Sequence, residues 1–179
     1  MPTVLVLLAD GFEEIEALAP VNLLRRAGIE VTVASLNENR HATGRSGITA
    51  HADAALSAVQ AQDFDLVFLP GGAGVKNLRA DARVLQIVRR QHNAGRWLAA
   101  ICAAPTVLHD AGLLAGRRYT AHFSVANELP AILAAERIVT DGKITTSRGA
   151  GTAVEFGLHL VALLSTADKA TEISKAICL

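Results

Sequence analysis

The order of elements along this chain predicts an α/β fold, a mostly parallel sheet covered on both faces by helices. Three observations carry that expectation. Short unbroken apolar runs, at Thr3–Ala9, Leu66–Leu69 and Trp97–Ile101, read as strands buried on both sides. Segments with the helical period stand between them. Gly and Pro punctuate the joins, and no repeat, linker or low-complexity tract interrupts the pattern. At 179 residues, 51% of them hydrophobic, the chain suits a single domain over residues 1–179.

Each element has a local reason. After the first strand, Glu13–Ala27 reads as a helix. Its acids lie in the first turn and Arg25 and Arg26 in the last, the order the macrodipole favours, and Gly28 stops it. Pro20 inside it predicts a kink or a late start. Ile29–Ser35 is the second strand. Thr43–Asp53 is polar and broken by glycine, with Ile48 and Ala50 suggesting a short strand or hairpin. Leu66–Leu69 runs into Pro70-Gly71-Gly72-Ala73-Gly74. Asp81 caps a helix over Asp81–Ala94, with Val84, Leu85 and Val88 as its apolar stripe. Trp97–Ile101 leads to a helix over Ala103–Ala111. Arg118–Ala121 reads as a short strand ending at His122. Arg137–Asp141 and Lys143–Ser147 flank Gly142 as a hairpin. Thr152–Leu164 is apolar all round, so it is a helix buried against the sheet. Ser165–Ile177 is the last helix, with Ser165 and Asp168 at capping-box spacing.

Charge and cysteine content narrow the function. Lys+Arg is 17 and Asp+Glu is 17, so no net field selects nucleic acid or an anionic membrane as partner. Two cysteines are too few for a disulfide framework, which suggests a reducing, cytoplasmic setting. Acids follow the first apolar run too closely for a signal peptide. No apolar stretch reaches the roughly 18 residues of a spanning helix. His41, His51, His92, His109 and His159 show no metal-ligand spacing and read as surface or packing residues, so no metal is expected.

The most informative segment is Ala100-Ile101-Cys102-Ala103-Ala104-Pro105. A strand ends there at a lone cysteine between small residues, and a helix begins. Such a turn lifts a nucleophile out of the sheet, a nucleophile elbow, and the helix start is expected to lower the thiol pKa. A small buried cysteine is the plainer reading. Topology decides between them. In parallel sheets the C-terminal strand ends share one edge, where ligands bind. Four features follow strand ends here: the acidic stretch Asp10–Glu16, with Glu13, Glu14 and Glu16 as proton-partner candidates, the Gly71-Gly72 turn, Cys102, and His122. One acid beside a thiolate should hold its proton, pushed up by like charge and desolvation. At least one of Glu13 and Glu14 is expected to face water. Gly71 and Gly72 could offer amides to an oxyanion, and His122 could serve as a base. Cys178 reads as an incidental thiol.

Several ordered segments resemble one family: Ala9-Asp10-Gly11-Phe12-Glu13-Glu14-Ile15-Glu16, Leu69-Pro70-Gly71-Gly72, Ala99-Ala100-Ile101-Cys102-Ala103-Ala104-Pro105, Thr120-Ala121-His122 and Thr146-Ser147-Arg148-Gly149-Ala150-Gly151-Thr152. Together they resemble the ThiJ/PfpI superfamily in its DJ-one branch. The resemblance implies a flavodoxin-like three-layer sandwich and a homodimer. It places the reactive cysteine at Cys102, the protonated glutamate at Glu16 and the nearby histidine at His122. It puts oxyanion-type amides at Gly71, Gly72 and Ala103, with Arg26 and Arg148 on the rim. It implies cofactor-free conversion of small 2-oxoaldehydes such as methylglyoxal to 2-hydroxy acids, or protein deglycation. The alternative is a redox-responsive, stress-protective or chaperone role through cysteine oxidation. Ala103 stands where the protease-like branch has histidine, which argues against peptidase activity.

Overall fold

The computed structural model describes residues 1–179. Nine strands and seven helices alternate through most of the chain. They are β1 (Thr3–Leu8), α1 (Glu14–Arg26), β2 (Glu30–Ser35), β3 (His41–Thr43), β4 (Thr49–His51), β5 (Ala54–Ala55) and α2 (Leu56–Val59). Then come β6 (Leu66–Leu69), α3 (Val75–Ala80), α4 (Ala82–Asn93), β7 (Trp97–Ile101) and α5 (Pro105–Asp110). The hairpin β8 (Ile138–Asp141) and β9 (Ile144–Ser147) precedes α6 (Ala153–Leu164) and α7 (Ala167–Ala176).

The main sheet has the order β5-β2-β1-β6-β7-β9-β8, and only β8 runs antiparallel. Alternation along each strand builds two cores. Leu5, Leu7, Val67, Leu69, Leu98 and Ala100 face one side, where α2, α3, α4 and α5 pack. Val4, Val6, Leu8, Leu66, Phe68, Ala99 and Ile101 face the other, beneath α1, α6 and α7. The fold is thus a three-layer α/β sandwich. After β2 the chain crosses β1 to reach β6, so the switch point lies between β1 and β6.

Local chemistry explains most of the elements, and some differ from expectation. Asp81 caps α4 by accepting from the Arg83 amide. On α4 the buried stripe is Val84, Ile87, Val88 and Gln91, while Leu85 is half-buried. Helix α1 starts at Glu14 and runs through Pro20, so the late start is not realised. The short helices α2 and α3 escaped the sequence reading. Helix α5 begins at Pro105, two residues later than expected, because proline fits the first helical turn. The cap of α7 is Thr166, which accepts from the Lys169 amide, rather than Ser165. Arg118–Ala121 forms no strand. Its amides go to side chains instead: Arg118 to Asp141 Oδ2 at 2.9 Å and Thr120 to Thr146 Oγ1 at 2.9 Å. Helix α6 buries Ala153, Phe156, Gly157, Leu160 and Val161, while its remaining apolar residues are half-buried.

Candidate functional site

The C-terminal ends of β1, β6 and β7 lie side by side in the sheet, and each delivers one part of the site. Beyond β1 comes α1, capped by Glu13, whose Oε2 accepts from the Glu16 amide at 2.8 Å. This fixes Glu16 in the first turn, pointing inward and only 1% exposed. Beyond β6, Gly71 and Gly72 pass so close that no side chain fits. A methyl at Gly71 would strike the Glu16 carboxylate, Cys102 Cβ at 2.6 Å and the Ile101 carbonyl at 2.9 Å. One at Gly72 would meet the Glu13 amide at 2.5 Å, and φ there is +92°. Beyond β7 comes Cys102, in the left-handed region at φ +65°. A non-glycine residue there costs roughly 1–2 kcal/mol. Two backbone bonds hold it: its amide donates to Ser147 O at 2.9 Å, and its carbonyl accepts from the His122 amide at 2.8 Å.

Glu16 and Cys102 meet across Gly71, where a methyl would touch both side chains, and each acts on the other's ionisation. Burial pushes the Glu16 carboxyl up to about 7, and the Glu13 charge adds to that. Its contact with Cys102, the Gly71 amide and the Arg45 charge pull the other way. Burial also pushes the Cys102 thiol up, to about 12, reinforced by the neighbouring Glu16 carboxylate. The amides of Gly72 and Ala103 act on the sulfur in the lowering direction. The sequence reading of a depressed thiol pKa is therefore corrected. Amides at the turn do favour the anion, but desolvation and a like charge outweigh them. The pair holds one negative charge between two groups, and its first proton leaves near neutrality.

The pocket above this pair is about 650 Å³ and is lined by Glu13, Glu16, Arg45, Gly72, Ala73, Cys102, Ala103, His122, Ser124 and Ala150. Of the expected site residues it gathers Cys102, Glu16, His122, Gly72 and Ala103. Gly71 is placed differently. Its amide donates to Glu16 Oε2 at 3.1 Å, so it orients the carboxylate rather than facing the pocket. His122 projects from a loop, not a strand end. Its Nδ1 accepts from the Ser124 amide at 3.2 Å, which leaves the ring proton on Nε2. Arg148 lines neighbouring depressions and donates to Ala134 O at 3.3 Å. Arg26 lies in the last turn of α1, bonded to Asn22, at the far end of the helix from Glu16. Neither arginine lines this chain's Cys102 pocket.

Glu13 and Glu14 are both buried, at 9% and 6% exposure, against the expectation that one faces water. The β3–β4 hairpin explains Glu14. The hairpin folds its tip over the mouth of the site: the Arg45 amide donates to Phe12 O, and the Ser46 amide to Glu14 Oε1, each at 2.8 Å. Arg45 thereby joins the pocket and acts on Glu16. The sequence reading missed it, because Gly44-Arg45-Ser46-Gly47 signals only a turn.

Comparison with known proteins gives the class. Residues 2–163 match the DJ-1/PfpI family, and the chain belongs to that family. It is 38% identical to the protein dj-1beta of Drosophila melanogaster over 177 residues, covering 97% of this chain and 95% of that one. The crystal structure of Drosophila melanogaster DJ-1beta superposes with a TM-score of 0.96 at 37% identity, covering 99% and 98% of the two chains. An oxidized Toxoplasma gondii DJ-1 gives a TM-score of 0.94 at 33% identity, with coverage of 99% and 98%. Deglycase TK1284 of Thermococcus kodakarensis is 32% identical over 164 residues, covering 90% of this chain and 98% of that one.

The coupled pair predicts a specific pH response. Below pH 7 both groups are protonated and Cys102 reacts slowly. Above it, Glu16 is a carboxylate that accepts the thiol proton as sulfur attacks, so iodoacetamide labelling of Cys102 should rise through about pH 7 to a plateau. In Glu16→Gln the limb should move above pH 9, with labelling at pH 7.5 reduced by roughly 10²-fold. An unchanged profile in the variant would show that the carboxylate plays no part.

Proposed function

We propose that this chain is a cofactor-independent enzyme of the glyoxalase or deglycase type, acting on small 2-oxoaldehydes such as methylglyoxal through Cys102. The juxtaposed Cys102–Glu16 pair in a pocket open to small molecules carries this reading. The deglycase among the chain's relatives supports the reaction class.

The steps follow from the geometry. The Cys102 sulfur adds to the aldehyde carbon while its proton passes to the Glu16 carboxylate. The new oxyanion lies near the Gly72 and Ala103 amides, takes up a proton and becomes a hemithioacetal. Glu16, again a carboxylate, removes the hydrogen from that carbon and returns it to the neighbouring carbon through an enediol. The product is a lactoyl thioester. Water hydrolyses it to lactate and the free thiol. Methylglyoxal plus water gives lactate, an internal redox exchange that needs no outside oxidant. His122, at the pocket wall, assists proton transfer. Purified protein with methylglyoxal and no glutathione should form lactate. Cys102→Ser and Glu16→Gln should each abolish it, and near-wild-type turnover in Cys102→Ser would reject the route.

A second reading, favoured by the same sulfur environment, is a redox-responsive thiol with a stress-protective role. Two amides and a carboxyl around Cys102 are suited to receive the oxygens of a sulfinate, with Glu16 donating its proton. Peroxide titration followed by mass spectrometry should add two oxygens at Cys102 before Cys178 changes. Equal oxidation of both cysteines would count against it.

The functional unit in this proposal is a homodimer. Ile15 and Leu18 on α1 and Ile48 at the hairpin tip are 55%, 40% and 57% exposed, and together they offer an apolar face to a second copy. Leu18→Asp with Ile48→Asp should sediment as a monomer. A wild-type chain that is already monomeric at tens of micromolar would refute this.

A further inference from the structure

Away from the Cys102 pocket, the hairpin joins two side chains that sequence spacing left apart. His41 on β3 and His51 on β4 are direct cross-strand partners. His51 Nδ1 and His41 Nε2 lie 3.1 Å apart, with the rings nearly edge to face. Both residues are exposed, so the pair is open to solvent. Both are surface residues, as the sequence suggests, and the hairpin brings them together.

We propose that His41 and His51 form a two-point site for a borderline divalent cation of the Ni²⁺, Cu²⁺ or Zn²⁺ class, with water completing the coordination. The spacing is the first argument. Two imidazole nitrogens bound at about 2.0–2.1 Å, with an angle of about 90–109° at the metal, lie roughly 2.9–3.3 Å apart. The observed 3.1 Å falls inside that range before any metal arrives. Ligand type is the second. Paired imidazoles suit these ions and discriminate against Mg²⁺ and Ca²⁺, which prefer oxygen.

Rigidity is the third argument. The Asn39 side chain accepts from the His41 amide at 2.9 Å, and Asn37 donates to the His41 carbonyl at 2.9 Å. On the other strand, the Ala52 amide after His51 donates to Arg40 O at 2.7 Å. Further along, Thr43 and Thr49 join through their hydroxyls at 3.0 Å, and the Gly11 amide donates to Thr43 O at 2.7 Å. Little backbone freedom remains to be lost on binding.

Proton bookkeeping gives the pair a signature. Without a cation, one facing nitrogen donates its proton to the other. With the cation, both facing nitrogens present lone pairs, so His41 keeps its proton on Nδ1 and His51 on Nε2. The exchange is a change of tautomer that releases no net proton from neutral rings. The charged neighbours are Asp10, held by Thr43 and Asn37, Arg40 beside His41, and Asp53, paired with Arg25 at 2.6 Å. The two carboxylates are already partnered.

The test is calorimetric titration of the full chain with Ni²⁺ at pH 7.5, after Cys102 and Cys178 have been alkylated. Saturable binding of at most one ion per chain is expected. His41→Ala and His51→Ala should each weaken it at least tenfold, while His92→Ala should not. Circular dichroism of the variants checks that the exposed substitutions leave the fold intact. The proposal is overturned by either of two results: no saturable heat, or binding that survives both hairpin substitutions.

Discussion

A single negative charge shared between Glu16 and Cys102 is the constraint around which the site is built. Neither group is comfortable alone. Burial raises both, and the Glu16 carboxylate opposes ionisation of the sulfur while contact with the thiol favours the carboxylate. The surroundings keep the charge from being lost altogether, through the Gly71 amide on the carboxylate, the Gly72 and Ala103 amides on the sulfur, and the Arg45 charge nearby. Such a pair sits close to its first proton loss at neutral pH, the condition a proton-carrying site requires.

Holding that pair sets demands on the backbone. Three adjacent strand ends must converge, and the turn after β6 must pass against both reactive side chains. Glycine at position 71 meets this demand, since a methyl there would occupy the carboxylate's place. Cys102 accepts a left-handed backbone, held by Ser147 O on one side and the His122 amide on the other. Strain at one residue is thus offset by bonds from β9 and from the segment between α5 and β8.

The hairpin β3–β4 is the least regular part of the sandwich and still bears directly on the site. Through Arg45, Ser46 and Thr43 it is tied to Phe12, Glu14, Asp10 and Gly11, all around the start of α1. It also carries the exposed Ile48 and the paired histidines. The features unforeseen from sequence cluster here, and the reason is physical. A tip of Gly-Arg-Ser-Gly states that the chain turns, whereas where it lands depends on partners more than thirty residues away. The same holds for Arg118–Ala121, whose alternation suggests a strand until side chains of β8 and β9 take its amides.

The apolar runs by themselves determined the layered sandwich, because a strand buried on both faces and a helix with one greasy stripe have few ways to hide together. The order of motifs also marked Cys102, Glu16, Gly72, Ala103 and His122 as residues of one sheet edge. Tertiary structure alone decided how those groups act on each other. It assigned the Gly71 amide to the carboxylate, left Arg26 and Arg148 outside the pocket, buried Glu13 and Glu14, and brought in Arg45. It also reversed the expected direction for the thiol. Ionisation depends on the balance of desolvation, neighbouring charge and amide contacts at ångström range, and linear spacing does not encode that balance.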